Sequence, residues 1–210
     1  MKYSLSISNN TYDSLAQEYE NRVEEYRPIT EKAVSLFTPY IKTGKKVLDI
    51  GCGVGLALEI FKQKGFSITG MDISRRMIKF ARKRNKNGKF ILGNFLSLDV
   101  GRQLFDGVYM SGFLHLFPKE KAVNVLKRTY RILKPKGILF IGTTKSMISK
   151  EGMEIKSNYP GKLQRFRKYW TEKELKNFII ENRFKIIKIY HLKGLFRKTW
   201  MDFIVQKAVL

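Results

Sequence analysis

The stretch Val47-Leu48-Asp49-Ile50 is apolar apart from one carboxylate, and Gly51, Gly53 and Gly55 follow it at every second position. From Leu56 to Lys64 apolar residues return at helical spacing. The pattern is a strand that breaks into a glycine-rich turn and re-enters a helix. Such a turn leaves bare backbone, and the orphan N–H groups of a helix N-terminus, open to a ligand. The dinucleotide fingerprint puts its third glycine three residues after its second. Here that position is Leu56, and the third glycine comes one residue early at Gly55. A pyrophosphate would lose the close helix approach that the fingerprint provides.

The remaining elements alternate. Apolar residues from Ile29 to Ile41 recur at helical spacing, and Phe66 to Met71 reads as a second strand ending at Asp72. Ser74 caps a helix whose apolar face is Met77, Phe80 and Ala81. Lys89 to Leu92 and Gly107 to Met110 read as short strands. Pro118 opens a helix with Val123, Leu126, Tyr130 and Leu133 on one stripe, followed by a turn at Lys134-Pro135-Lys136-Gly137. Ile138 to Ile141, wholly apolar, is a strand buried on both faces. Thr171-Glu172-Lys173-Glu174 reads as a capping box. Phe184 to Tyr190 and Trp200 to Val205 are two strands with a connection short enough to pair them antiparallel. The alternation predicts a mainly parallel sheet covered on both faces.

Length and composition bound the class. At 210 residues the chain fits one domain with a full core, taken as 1–210. Met1 to Asn10 lacks a basic-then-apolar signal pattern, and no apolar run is long enough to span a bilayer. A soluble cytoplasmic enzyme with no membrane partner, monomeric or homodimeric, is expected. A single cysteine excludes a disulfide framework, a multi-cysteine zinc site and a three-cysteine iron–sulfur cluster. That cysteine, Cys52, sits inside the glycine turn as a small tolerated residue. The formal charge of +23 pulls toward nucleic acid. The lysines are spread along the chain, however, and the dense run from Arg75 to Lys86 also suits a solvated helix face.

The nonamer from Val47 to Gly55 resembles motif I of the class I methyltransferases that use S-adenosylmethionine (SAM). Further stretches are similar to the same family. They are Phe105-Asp106-Gly107-Val108-Tyr109-Met110-Ser111-Gly112-Phe113-Leu114-His115-Leu116, the Leu133–Gly137 segment, and Tyr12-Asp13-x-x-Ala16-x-x-Tyr19. The resemblance implies a Rossmann-like, seven-stranded, mostly parallel sheet with an antiparallel last strand and helices on both faces. It implies SAM as cofactor and S-adenosylhomocysteine (SAH) as product. Gly51, Cys52, Gly53 and Gly55 would then form the cofactor turn, with Asp49 meeting the SAM amino group. Asp72 lies 23 residues after Asp49, as one strand–helix–strand unit requires, and its two oxygens suit a ribose diol. Ile73 and Met77 join that wall. Asn94 stands where the family often has Asp, and its carbonyl oxygen accepts from the adenine amino group without a charge. Phe95 packs on the adenine, and Ser111 and Gly112 flank the methionine portion.

Substrate chemistry is less determined. His115 is the candidate general base. The N-terminal helix (about 10–42) is expected to cover the cofactor, with Tyr12 and Tyr19 in the acceptor pocket. The segment 143–170 reads as an irregular substrate-side insertion. It carries Met147, Met153, Tyr159, Arg165, Phe166, Arg167, Tyr169 and Trp170, an aromatic and basic mix suited to a planar or anionic molecule or to a base. Arg165 and Tyr169 are the substrate candidates drawn from it.

Met110-Ser111-Gly112-Phe113 is not the Asn/Asp-Pro-Pro-aromatic tetrad of exocyclic-amine nucleic-acid enzymes. No cysteine follows the fourth strand for pyrimidine C5 chemistry. Asp106 is read as preceding its strand, which disqualifies it from a catechol-type metal site. The expectation is a metal-independent N- or O-methyltransferase acting on a small molecule. A tRNA or rRNA methyltransferase using the basic surface, and a non-catalytic SAM-binding protein, are the alternatives.

Overall fold

The computed structural model describes residues 5–102, 104–156, 163–194 and 198–208. Helices α1 (Leu5–Asn21) and α2 (Val23–Phe37) precede β1 (Lys46–Ile50), α3 (Leu56–Gln63), β2 (Ser67–Asp72), α4 (Arg75–Arg84), β3 (Lys89–Leu92) and β4 (Phe105–Ser111). Then come α5 (Lys119–Ile132), β5 (Leu133–Thr144), β6 (Lys150–Ile155), β7 (Gln164–Tyr169), α6 (Glu172–Glu181), β8 (Phe184–Lys193) and β9 (Thr199–Lys207). Seven strands form one sheet in the order β3-β2-β1-β4-β5-β9-β8, and β9 runs antiparallel to both neighbours. No described helix is long and apolar enough to cross a membrane.

Alternation along the strands gives the sheet two faces. Leu48, Val108, Leu139 and Val205 pack on one side with α5 and α6, which contribute Leu126 and Phe178. Val47, Tyr109, Phe140 and Ile204 pack on the other with α2, α3 and α4, which contribute Phe37, Phe61 and Met77. Tyr109 stacks on Phe140 at 4.5 Å between centroids, and Phe37 and Phe61 complete this aromatic centre. Asp49 pairs in register with Tyr109, and Gly142 with both Ser111 and Asp202, which brings polar side chains to the carboxyl ends of β1 and β4.

Four local expectations are corrected. The segment 143–170 is not irregular: Thr143 and Thr144 end β5, and β6 and β7 form a separate two-stranded antiparallel hairpin. Tyr159 lies outside the described residues. Lys134-Pro135-Lys136-Gly137 is not a free turn either. The strand runs through it with a register shift against β4, and Lys136 takes a left-handed φ of 60°. Asp106 lies within β4, at its amino end, accepting from Lys46 N, Thr43 Oγ1 and Lys134 Nζ. The buried face of α5 is Ala122, Val125, Leu126, Thr129 and Ile132, so Val123 and Tyr130 flank the stripe rather than define it.

Candidate functional site

The turn after β1 is stitched to β2: the amides of Gly51 and Cys52 both donate to Met71 O, at 2.8 and 3.0 Å. Gly51, Gly53 and Gly55 have φ of +74°, +53° and +83°, a region costly for any residue with a Cβ. A Cβ on Gly53 would meet nothing within 4 Å, so its backbone faces open space. A Cβ on Gly55 would lie 2.9 Å from Ala81 Cα. Gly55 therefore serves the packing of α3 on α4 and does not line the cavity described below.

Asp72 locks this turn. Its Oδ2 accepts from Gly53 N and its Oδ1 from Ser74 N, each at 2.9 Å. The Ile73 amide also donates toward this carboxylate, and its remaining acceptor capacity is open to a ligand hydroxyl. Burial pushes its pKa up, opposed by those amide bonds. Asp49 is buried, and no donor of the described residues reaches its carboxylate. Burial, and then the charge of Asp72, raise the Asp49 pKa to about 8. Burial lifts the Cys52 thiol well above its ordinary range, which suits a packed wall residue rather than a nucleophile. Asn94 Oδ1 already accepts from Leu96 N at 2.9 Å, leaving one acceptor site. Phe95 is buried edge-on to Phe113.

Helix α1 is fastened over this end by the sequence motif itself. Asp13 Oδ1 accepts from Ser74 Oγ (2.6 Å) and Arg76 N (2.9 Å) at the start of α4, and Arg84 pairs with Glu20 at 2.7 Å. Tyr12, Tyr19 and Tyr26 follow one another along α1 and into α2, with ring centroids 6.3 and 6.2 Å apart.

A second wall comes from the hairpin. Arg165 and Arg167 alternate on one face of β7, and both are buried, as is Lys156 just beyond β6. Arg165 Nε and Nη2 donate to Glu154 Oε1 at 3.0 and 2.8 Å, and the Tyr169 hydroxyl donates to Glu154 Oε2. Arg167 Nη2 donates to Thr144 Oγ1 at 2.6 Å, and its Nη1 lies 2.5 Å from His115 Nε2. A guanidinium only donates, so Nε2 is the acceptor. The ring proton is then on Nδ1, 2.9 Å from Thr143 Oγ1. Burial, then the charge of Arg167, hold the His115 pKa well below its ordinary value. His115 is thus neutral with both nitrogens engaged, and Nε2 takes no further proton in this conformation. Burial and the neighbouring guanidiniums lower Lys156 to about 6 and Arg167 to about 10.

One cavity of about 340 Å³ joins both ends. Of the residues singled out from the sequence, it is lined by Tyr12, Tyr19, Asp49, Gly51, Cys52, Gly53, Asp72, Ile73, Met77, Asn94, Phe95, Ser111, Gly112, His115 and Arg165. Gly55 and Tyr169 do not line it. Lys156, Lys198, Trp200 and Asp202, which the sequence did not single out for the site, also line it, as does Arg167, named in the aromatic and basic mix of 143–170 but not taken as a substrate candidate. Arg167 shares the period-two spacing of Arg165, a signal visible only once β7 is read as a strand. Asp202 in β9 is buried, and burial raises it to about 7.

Residues 47–137 match the family model of a methyltransferase domain. The chain is 31% identical over 136 residues to the demethylmenaquinone methyltransferase of Thermotoga maritima, covering 62% of this chain and 58% of that relative. It is 28% identical over 191 residues to a ubiquinone biosynthesis O-methyltransferase of Actinobacillus pleuropneumoniae, covering 83% and 78%. Its fold superposes on the 1,6-didemethyltoxoflavin N1-methyltransferase of Burkholderia thailandensis with a TM-score of 0.80 at 19% identity, over 97% of this chain and 88% of that one. The order of the seven strands, the glycine turn between β1 and α3, and these matches agree: residues 47–137 carry a methyltransferase domain, and the chain has the fold of the SAM-dependent methyltransferases it superposes on.

Proposed function

We propose that this protein transfers a methyl group from SAM to a nitrogen or oxygen of a small molecule without a metal ion. The observation that carries this reading is the single cavity with two unlike ends. At one, Gly53 presents bare backbone and Asp49 presents a buried carboxylate that no donor of the described residues reaches. That donor set fits SAM: Asp49 for its ammonium, Asp72 for its ribose diol, Asn94 and Phe95 for its adenine. At the other end stand the tyrosines of α1 and the cations of the hairpin. SAM supplies a sulfonium-activated methyl, so the protein's task is alignment, exclusion of water and removal of the acceptor's proton.

Residues 10–42 act as the cover of the cavity and the hairpin as its acceptor-side wall. His115 takes the acceptor's proton once Arg167 leaves Nε2, and Asp202 is the second group in the cavity suited to hold it. Asp106 has its carboxylate engaged at the amino end of β4, away from the cavity, which supports the metal-independent reading. The relatives named for demethylmenaquinone methylation and ubiquinone biosynthesis, and the fold neighbour holding 1,6-didemethyltoxoflavin, support a small-molecule acceptor.

Calorimetry with SAH tests the cofactor half. Binding that weakens by about 1–3 kcal/mol in Asp72→Ala is expected for the loss of a charged hydrogen-bond partner; unchanged affinity would remove Asp72 from the ribose. The charge of +23 favours RNA as the second reading. Activity falling steeply with salt, as phosphate contacts release counterions, would select it.

A further inference from the structure

The acceptor end holds more buried positive charge than its own residues neutralise. Arg165 is paired with Glu154 at 2.8 Å. Arg167, only 6% exposed, has no ion pair with a carboxylate of the described residues. Its bonds go to the neutral acceptors His115 Nε2 and Thr144 Oγ1. Lys156, buried, and Lys198, exposed, line the same cavity. A buried guanidinium without a counter-ion is costly, and the cost is removed by an anion that enters the cavity. The aspartates that line the cavity do not supply one. Asp49, Asp72 and Asp202 belong to the sheet's carboxyl edge, and none of them pairs with these cations.

We propose that the methyl acceptor is an anionic small molecule whose oxyacid group, a carboxylate or a phosphate, seats against Arg167 beside Arg165 and Lys198. This rests on the methyltransferase reading and names its substrate class. The acid group is a handle: a guanidinium holds and orients it, and its charge makes the acid oxygens poorer nucleophiles. The methylated nitrogen or oxygen therefore stands elsewhere on the molecule, toward Ser111 and Gly112. Tyr12 and Tyr19 supply the flat apolar surface between.

The test is calorimetry on the full chain saturated with SAH, using benzoate, phenyl phosphate and benzamide as probes. SAH affinity is measured first, separately. The expected result is that an anionic probe binds at least about tenfold more tightly than benzamide, the effect of one charge-assisted hydrogen bond. Whichever of benzoate and phenyl phosphate binds more tightly identifies the oxyacid. Arg167→Gln should abolish the preference while leaving SAH affinity unchanged. Lys198→Gln, at an exposed position, should reduce it severalfold even where Arg167→Gln proves unstable. Equal binding of benzamide and the anions, or a preference that survives both substitutions, would overturn the proposal. Failure of the wild-type chain to bind SAH would overturn the methyltransferase reading beneath it.

Discussion

The cofactor end of the cavity takes Asp49, the glycine turn and Asp72 from one continuous strand–helix–strand unit. The acceptor end takes Tyr12 and Tyr19 from α1, His115 from the loop after β4, Arg165 and Arg167 from β7, and Trp200 and Asp202 from β9. The first end is acidic and presents backbone; the second is basic and presents side chains. Under the proposed function, the difference follows from what each end would bind. A cationic cofactor common to a family is met by main-chain geometry within one local unit. An acceptor particular to one protein is met by side chains that can change separately on scattered elements.

Substitutions at the two ends should therefore fail differently. The largest effect is expected where local geometry is shared. Gly55→Val places a Cβ against Ala81 at a φ of +83°. Backbone strain of about 1–3 kcal/mol and overpacking of about 1–3 kcal/mol should lower stability in chemical denaturation, and both ends should lose binding together. A variant of wild-type stability would break the assignment of Gly55 to packing.

Asp49→Asn should weaken SAM by about 1.5–3 kcal/mol, the range for a charged partner, and leave anionic probes unaffected. It should also separate the two ends by pH. The Asp49 pKa is raised to about 8 from an ordinary 3.8, so the folded chain holds the proton longer than the unfolded one and stability from this group falls as pH rises between them. Lys156, lowered to about 6 from 10.5, holds its proton less well when folded, so its contribution to stability rises with pH from about 6 to 10.5. Melting temperatures at pH 5 and pH 8 should show Asp49→Asn gaining on wild type at the higher pH. Lys156→Met should gain on wild type at the lower pH. Parallel shifts in the two variants would contradict the opposite polarity of the ends.

The smallest effect is expected at His115. His115→Gln keeps an acceptor for Arg167 and should leave SAM affinity within about 0.5 kcal/mol of wild type. A pH–rate profile that loses its acid limb in this variant, an ionisation below the ordinary imidazole range, would establish His115 as the base. A profile unchanged in shape, with KM raised, would make it a positioning residue for Arg167.

The glycine turn, Asp72 and the Ser74 cap were legible because each depends on neighbours within a few residues, and the alternation of strands and helices carried the sheet with them. The hairpin was not. Gln164-Arg165-Phe166-Arg167-Lys168-Tyr169 mixes charge and aromatic residues without a clean apolar alternation, since four of its six residues are buried: Trp170, which follows it, packs at a tilt against Phe178, and Lys168 pairs with Glu174. Buried cations there read as solvated loop. The role of Asp13 as the anchor of α1 on α4 was hidden for a related reason, since its partners Ser74 and Arg76 are distant in sequence.

The most direct test is to supply methyl-labelled SAM to an extract of the cells that make this protein, then to separate small molecules, RNA and protein and pass the small molecules over an anion exchanger. Label in a retained, nuclease-resistant small molecule is the predicted result. Label in nuclease-sensitive RNA would contradict a small-molecule acceptor and make the basic surface the functional one.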